Sequence, residues 1–268
     1  MPATDAVRRP LVAVSLKMYL SAAQTRRYVA RVGELLGEAA TAALGVEIAV
    51  LPSFPLLEST ALALGPHGGR WGAQDVAPSD HGAQTGEVAA GVLAELGCSY
   101  VEVGHAERRR LFGETRAVID SKLVEVTGAG MVPIYCVGES ERAADPDEAA
   151  RTCLMDLEAA LRVIGAAQVV VAYEPVWAIG AAEPADPAYV RVVCTVLRDR
   201  LRRANPRSRV IYGGAAGPGT YHHLAGAVDG LFLGRFAHDI EALAQVVHEV
   251  SADSAAADSP TPIQEATP

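Results

Sequence analysis

Short apolar segments alternate with longer amphipathic segments along most of the chain. Eight of the segments have the length and composition of buried β-strands. They cover Leu11–Leu16, Val46–Leu51, Trp71–Gln74, Tyr100–Val103, Val132–Val137, Val169–Tyr173, Arg209–Tyr212 and Gly230–Leu233. Each is followed by a segment with helical spacing, near Ala22–Ala43, Pro55–Leu64, Glu87–Gly97, Thr115–Gly128, Pro146–Ile164, Pro187–Ala204, Gly217–Ala225 and Ile240–Val250. The pattern therefore predicts eight consecutive strand–helix units.

The strict order of these units predicts the fold class. Strand–helix alternation indicates an α/β protein with a parallel sheet and right-handed crossovers. Eight units in a chain of 268 residues predict closure into a single (β/α)8 barrel, which typically needs about 250 residues. The alternative is an open, doubly wound sheet with a glycine-rich nucleotide-binding turn. The sequence contains neither G-x-G-x-x-G nor G-x-x-x-x-G-K-[ST], so the closed barrel is favoured.

The two ends of the chain lack this alternation. Met1–Arg9 and Ser251–Pro268 are dominated by small, polar and proline residues. Such composition predicts a flexible N-terminus and a disordered C-terminal tail. Residues 10–250 are expected to form one barrel domain without an internal linker.

Composition limits the partners and the compartment. Half of the residues are hydrophobic, the net charge is −9, and no apolar run approaches membrane-spanning length. An acidic chain argues against nucleic acid as the main partner, although it remains compatible with a small anionic substrate. The N-terminal residues lack the apolar core of a secretion signal, so a cytoplasmic protein is predicted. Four cysteines without metal-site spacing are expected to be free thiols: Cys98, Cys136, Cys153 and Cys194.

Polar residues follow several predicted strands where a barrel of this kind carries its chemistry, at the C-terminal ends. Lys17 follows the first strand, His105 the fourth and Glu174 the sixth. Glycine-bearing turns follow the seventh and eighth strands, at Gly213–Gly214 and Gly234. Individually, these residues have ordinary structural explanations, such as a strand end, a helix cap or a tight turn. Their common location on one barrel face favours an active site.

The three side chains have complementary chemistry. A glutamate in a dry site can remove a proton, and a histidine can move a proton between two adjacent oxygens. A lysine supplies a fixed positive charge where an oxyanion develops. Glycine turns and helix N-termini present backbone N–H groups to an anion such as phosphate. Together they predict enolisation of a phosphorylated carbonyl compound, with no metal and no cofactor.

Longer motifs resemble the triosephosphate isomerase family. They are AYEPVWAIG at 172–180, GHAERR at 104–109, FGET at 112–115, YCVGE at 135–139, IYGG at 211–214 and GAQTGE at 82–87. The resemblance runs in order from about Pro10 to Val250. It implies a TIM-barrel isomerase that interconverts dihydroxyacetone phosphate and glyceraldehyde 3-phosphate, a reaction of glycolysis and gluconeogenesis, through an enediolate.

The resemblance also implies roles for individual residues. Glu174 would be the base, His105 a neutral proton shuttle, and Lys17 the positive charge beside the enediolate and phosphate. Ser15 and Glu107 would support them. The segment Val176–Glu183 would be a flexible lid. Backbone N–H groups that bind the phosphate are expected at Gly180, Ala215, Gly234 and Arg235. A homodimer is implied as well, with Thr85 at the tip of the loop that enters the partner.

Several positions depart from the family's common pattern. Ser15 stands where Asn is usual, Asp75 where Asn is usual, Ala106 and Ala215 where Ser is usual, and Arg235 where Gly is usual. The lid ends in Ala181-Ala182-Glu183 where a Gly-Lys pair is common. These changes are compatible with neutral drift or with an altered substrate. The segment GLFLGRFA at 230–237 and the stretch 184–189 resemble the four-carbon branch of the family, so an erythrulose phosphate is the alternative substrate.

Two hypotheses from other classes remain. In a Schiff-base aldolase Lys17 would be the nucleophile, but such a lysine needs a lowered pKa, and Glu107 argues for a charged one. The second is a protein that binds a phosphorylated metabolite without catalysis. Retention of all three catalytic residue types argues against it.

Overall fold

Eight parallel strands pair in sequence order, and β8 pairs with β1 to close the barrel. The computed structural model describes residues 9–181 and 184–257. The strands are β1 Leu11–Ser15, β2 Glu47–Leu51, β3 Arg70–Ala73, β4 Tyr100–Val103, β5 Val132–Val137, β6 Val170–Tyr173, β7 Arg209–Tyr212 and β8 Gly230–Leu233. The predicted (β/α)8 barrel is confirmed, and no strand end differs from its predicted position by more than one residue.

The helices form the layer outside the barrel. They are α1 Ala22–Gly37, α2 Ala39–Ala42, α3 Leu57–Leu64, α4 Ala90–Glu95, α5 Ala106–Phe112, α6 Arg116–Gly128, α7 Pro146–Ile164, α8 Pro187–Ala204, α9 Thr220–Leu224 and α10 Ile240–Ala257. Short 3₁₀ turns cover Phe54–Leu56, Gly65–His67, Val176–Ala178 and Arg235–His238. Helices α7 and α8 match their predicted bounds because each begins at a capping aspartate, Asp145 or Asp186, followed by proline.

Strand alternation divides the apolar core into two layers. One set of side chains packs outward against the helices. The other fills the barrel and comprises Leu11, Ala13, Ala49, Leu51, Tyr100, Ile134, Cys136, Val170, Ala172, Ile211 and Phe232. The barrel is therefore a packed core whose interior positions meet solvent only at its two ends.

The N-terminal end of the barrel interior is filled by a paired polar group. The Tyr100 hydroxyl bonds the Glu47 carboxylate, and the Arg209 guanidinium bonds Tyr100. Arg209 also lies 3.5 Å from Glu47 Oε1 and donates to the carbonyl oxygen of Arg9 at 3.1 Å. The positive charge of Arg209 is thus matched by one carboxylate within the same layer.

The last helix extends beyond the predicted start of the C-terminal tail. A disordered tail was expected from Ser251, but α10 continues to Ala257. The Ser251 hydroxyl donates to the Leu44 carbonyl oxygen at 2.8 Å, and the hydroxyls of Ser254 and Tyr221 lie 2.7 Å apart. These contacts stabilise the additional turns. The predictions for residues 1–8 and 258–268 lie outside the described residues.

Across residues 9–181 and 184–257, none of the helices has the length and apolar character needed to cross a membrane.

Candidate active site

A cavity of about 310 Å³ opens at the C-terminal end of the barrel. Its lining includes nine of the residues predicted from sequence: Ser15, Lys17, His105, Glu107, Glu174, Gly180, Ala215, Gly234 and Arg235. Ser15 is the last residue of β1, and the others come from the segments that follow β1, β4, β6, β7 and β8. Only Thr85 among the predicted site residues does not line this cavity. The fold therefore brings together around one cavity the residues that the strand-end argument and the family resemblance predicted.

Lys17 is held by an acidic partner. Its Nζ lies 2.7 Å from Glu107 Oε1, and its backbone adopts φ of 47°, which is unusual for a residue with a side chain. Burial by itself would lower the pKa of Lys17, but the hydrogen bond and charge of Glu107 raise it above its usual value. The pKa of Glu107, which burial would raise, is lowered by the same bond. Lys17 is therefore an ammonium ion, which disfavours the Schiff-base aldolase.

His105 has a defined tautomer. It caps the N-terminus of α5, and its Nδ1 accepts a hydrogen bond from the Glu107 backbone N–H at 3.1 Å. A nitrogen that accepts such a bond carries a lone pair, so the ring is neutral and its proton is on Nε2. That Nε2 lies 3.5 Å from Glu174 Oε2 and points into the site. The imidazole is placed to donate a proton toward the cavity.

Glu174 is a buried carboxylate with a free oxygen. Its exposed fraction is 7%, and within the described part of the chain its Oε2 has no hydrogen-bond partner. Two glycines hold it in place. A Cβ at Gly213 would lie 2.7 Å from the Glu174 side chain, and one at Gly138 only 1.9 Å from its carbonyl oxygen. The carboxylate is thus fixed beside the cavity that Glu174 lines, with one oxygen left without a hydrogen-bond partner among the described residues.

The segment after Glu174 is anchored first through a buried carboxylate. Trp177 Nε1 donates to Glu139 Oε1 at 2.8 Å. The hydroxyls of Tyr173 and Tyr189 donate to the same carboxylate at 3.1 Å. Three donors from three elements therefore fix the start of the predicted lid.

The far side of the same segment has its own anchor. The Ala185 backbone N–H donates to the Tyr212 hydroxyl at 3.1 Å. Within the predicted lid and its hinge, Ala182 and Glu183 lie outside the described residues. Val176–Ala178 forms a 3₁₀ turn, and Gly180 follows with φ of 76°.

The predicted phosphate-binding residues surround one side of the cavity. Gly234 precedes the 3₁₀ turn Arg235–His238, and no side chain among the described residues caps the N-terminal end of that turn. Ala215 adopts φ of 51°, a left-handed conformation that a serine at this position would also have to adopt. The Arg235 guanidinium lies 5.7 Å from the Tyr19 ring centroid, so its side chain stacks at the rim.

Sequence reasoning missed one acidic residue beside this group. Glu102 is on β4, two residues after the inward-facing Tyr100, and its Oε2 accepts a hydrogen bond from Ser15 Oγ at 2.9 Å. Burial raises the pKa of Glu102 to about 7; the nearby Glu174 carboxylate reinforces this rise, whereas the hydrogen bond from Ser15 opposes it. The period-two alternation of β4 was the available signal, because it places this charged residue inside the barrel.

Asp75, a departure from the family pattern, belongs to a different charge cluster. Its carboxylate lies 2.6 Å from Lys122 Nζ and 2.8 Å from an Arg108 nitrogen. Glu114 bonds both of these cations. Burial raises the pKa of Asp75, and Lys122 and Arg108 oppose that rise. Lys122 is therefore held in a buried charge cluster, whereas Lys17 lines the cavity.

The predicted dimer loop is exposed. Thr85 lies in the loop between β3 and α4, and Met18, next to Lys17, is 89% exposed. The homodimer stays a prediction. No group of three or more potential metal ligands occurs in residues 9–181 and 184–257.

Comparison with known proteins agrees with the geometry. The family model for triosephosphate isomerase matches residues 10–250. The chain is 43% identical over 249 residues to the L-erythrulose-1-phosphate isomerase of Pectobacterium atrosepticum, covering 90% of this chain and 96% of that protein. It is 38% identical over 237 residues to the triosephosphate isomerase of Dechloromonas aromatica, with coverages of 85% and 93%. It is 36% identical over 245 residues to that of Thermus thermophilus, with coverages of 88% and 96%.

The barrel, the location of the cavity and the extent of these matches lead to one assignment. The chain belongs to the triosephosphate isomerase family and is an isomerase of the intramolecular oxidoreductase type.

Proposed function

We propose that this isomerase moves the carbonyl group of a small phosphorylated ketose by one carbon, through an enediolate. The observation that carries the mechanism is the grouping of three side chains around one cavity. The free Oε2 of Glu174 lies 3.5 Å from the protonated Nε2 of His105, and the Lys17 ammonium lines the same cavity. A base, a proton shuttle and a fixed positive charge therefore face a common volume.

The reaction needs only proton transfers within one substrate. Glu174 removes the proton from the hydroxyl-bearing carbon next to the carbonyl, and the C–H electron pair becomes the C=C bond of the enediolate. The carbonyl π pair moves onto oxygen, where His105 Nε2–H and Lys17 stabilise it. His105 transfers a proton between the two oxygens. Glu174 then returns its proton to the neighbouring carbon, so the product is an isomer of the substrate.

Phosphate binding and exclusion of water complete the proposal. Gly180, Ala215, Gly234 and Arg235 line the cavity, and in this proposal their backbone N–H groups bind the phosphate. The lid anchors at Trp177 and Ala185 hold the segment that covers the site. A covered site strengthens the electrostatic interactions and protects the reactive enediolate from side reactions.

The substrate we favour is a four-carbon ketose phosphate, L-erythrulose 1-phosphate. In this compound the carbon that loses the proton carries a hydroxymethyl group where dihydroxyacetone phosphate has hydrogen. The carbonyl therefore moves to the third carbon, and the product is erythrulose 4-phosphate. Ser15 supports this choice because its side chain is smaller than the family's usual Asn and lines the same cavity as His105. The relative at 43% identity bears the name of this activity.

Dihydroxyacetone phosphate is the second candidate. The same base, shuttle and positive charge would act on it, and several relatives are named triosephosphate isomerases. A homodimer in the cytoplasm is part of either version. The exposed Met18 beside Lys17 and the exposed loop with Thr85 are the surfaces that such a dimer would bury.

The test is a direct comparison of kcat/KM for L-erythrulose 1-phosphate and dihydroxyacetone phosphate with purified protein. We expect a preference for the four-carbon substrate of about 10-fold or more, the range in which one polar group discriminates substrates. A preference for the three-carbon substrate would select the second candidate. Binding without turnover of either would overturn the isomerase mechanism, and a borohydride-trapped adduct at Lys17 would identify an aldolase instead.

A further inference from the structure

One buried acidic residue has no role in the mechanism above. Glu102 is 4% exposed and lies at the upper end of the barrel interior, above a layer that is largely apolar. In the described residues it has no lysine or arginine within ion-pair distance, and the nearest nitrogen of the neutral His105 ring, Nε2, lies 3.9 Å from its Oε1. Burial of a carboxylate is unfavourable unless it is paired or hydrogen-bonded. A residue placed there at such a cost points to a functional reason.

The partner of Glu102 is a residue of the cavity wall. Ser15 Oγ donates to Glu102 Oε2 at 2.9 Å, and both side chains are buried. Ser15 lines the cavity, whereas Glu102 lies behind it. Because a serine hydroxyl has one proton and two lone pairs, a proton given to Glu102 leaves only lone pairs for the cavity. The pair therefore converts Ser15 into a hydrogen-bond acceptor.

An acceptor at this position differs from the family pattern. The usual Asn offers an N–H donor to a substrate oxygen, whereas Ser15 with its proton engaged accepts from a substrate hydroxyl. The protonated Nε2 of His105 faces Glu174 Oε2 at 3.5 Å and Glu102 Oε1 at 3.9 Å. The reacting oxygens of a substrate would lie in this same region. A hydroxymethyl group on the reacting carbon would thus lie within reach of Ser15.

We propose that Ser15 and Glu102 form a hydroxyl-recognition pair, in which Ser15 accepts a hydrogen bond from the hydroxymethyl group of a four-carbon ketose phosphate and Glu102 positions the Ser15 hydroxyl. The inference rests on the proposed function, because it assigns a specificity role at that site. Glu102 is a positioning residue and Ser15 the residue that contacts substrate. A three-carbon substrate lacks the hydroxymethyl group, so the pair discriminates between the two substrates.

The charge of Glu102 gives the pair a pH dependence. The pKa of Glu102 is about 7, so the carboxylate that accepts from Ser15 predominates above this pH. Below it, a protonated Glu102 no longer requires the Ser15 proton. The titratable and charged groups that face Glu102 are Lys17 after β1, His105 after β4, Cys136 on β5 and Glu174 after β6. The titration of these groups acts on the turnover of both substrates, which carry the same phosphate, so a ratio of rates for the two substrates isolates the pair.

The experiment measures kcat/KM for both substrates in wild type, Ser15→Ala and Glu102→Gln. We expect Ser15→Ala to lower the four-carbon value by about 10-fold or more and the three-carbon value by less than about 3-fold, as loss of one hydrogen bond predicts. Glu102→Gln should lower the ratio of the four-carbon kcat/KM to the three-carbon kcat/KM. In wild type this ratio should rise between about pH 6 and pH 8, and in Glu102→Gln that rise should be absent. The matched control is Glu47→Gln at the opposite end of the barrel, which should leave the ratio unchanged. Equal losses for both substrates would overturn the pair.

A binding measurement keeps the inference separate from the proposed function. Erythritol 1-phosphate and glycerol 3-phosphate are the unreactive, reduced counterparts of the two substrates, and calorimetry gives their Kd values without turnover. Ser15→Ala should raise the Kd of erythritol 1-phosphate by about 10-fold and leave the Kd of glycerol 3-phosphate nearly unchanged. If Ser15→Ala left the ratio of the two Kd values unchanged, the proposed role of the pair would be wrong even if the wild type is a four-carbon isomerase. A selective loss would support the pair even if the wild type turns over neither ketose. Ser15→Ala also covers the case in which Glu102→Gln fails to fold.

Discussion

The two ends of the barrel interior both carry acidic side chains, but their charges are balanced in different ways. At the N-terminal end, Glu47 is matched by Arg209 and bonded by Tyr100. At the C-terminal end, Glu102 and Glu174 lie near a neutral histidine, and neither has a lysine or arginine within ion-pair distance in the described chain. Tyr100 and Glu102 are only two residues apart on β4, so one strand contributes to both ends.

This difference separates stability from chemistry. A matched charge in a closed layer holds strands together, whereas an unmatched carboxylate can act on a substrate directly or through a neighbouring side chain. The N-terminal end is therefore expected to tolerate few substitutions without loss of stability. The C-terminal end is expected to tolerate some without unfolding, but with loss of rate or specificity.

The largest expected effect is loss of the base at the C-terminal end. Glu174→Gln removes the proton acceptor while preserving size, so kcat should fall by about 10³-fold or more with KM nearly unchanged. A coupled isomerase assay measures both parameters. The same substitution at the other end, Glu47→Gln, should leave kcat within about 2-fold. Substantial turnover by the Glu174 variant would show that another group is the base.

The second effect is loss of the matched charge at the N-terminal end. Arg209→Met leaves the Glu47 carboxylate without its cation, and the free energy of unfolding should fall by about 3 kcal/mol. Urea denaturation measures this change. The control Arg235→Met removes an exposed arginine at the other end and should change stability by less than about 0.5 kcal/mol. Equal stability losses in the two variants would remove the contrast between the ends.

The third and smallest effect is the pH dependence produced by Glu102. Its pKa is about 7 in the folded protein and near 4.5 when unfolded, so the folded state binds more protons between these values. Stability then decreases as pH rises, by about 2 kcal/mol between about pH 5 and pH 8 for this group. Glu102→Gln should remove that decrease, as measured by denaturation at both pH values. If the difference in unfolding free energy between variant and wild type were the same at both pH values, Glu102 would not be a buried carboxylate without a compensating charge.

The sequence predicted the barrel and most of the site because both depend on local patterns. Apolar runs place the strands, and Lys17, His105 and Glu174 directly follow three of them. Helix α5 was not predicted because it is short and depends on its caps, His105 and a left-handed Gly113. The extension of α10 to Ala257 depends on contacts with Leu44 and Tyr221, which no local pattern contains.

Glu102 and Asp75 illustrate what the sequence could not provide. Alternation along β4 places Glu102 inside the barrel, but its partner Ser15 is 87 residues away. Asp75 differs from the family pattern by a single polar atom, and only the fold places Lys122 and Arg108 beside it. In both cases the meaning of a residue depends on a long-range partner. Substrate choice is of the same kind, since it depends on which atoms meet across the cavity.

Because lysine is scarce, a lysine-specific protease can cut this protein at very few positions. An endoprotease that cleaves after lysine has two sites in the whole sequence, Lys17 and Lys122. The first is 20% exposed in the cavity wall, whereas the second is 3% exposed on α6 between two carboxylates. Cutting at Lys17 requires local opening of one loop, whereas cutting at Lys122 requires unfolding of a helix. A single digest would therefore time these two motions separately, and a bound sugar phosphate would delay the first.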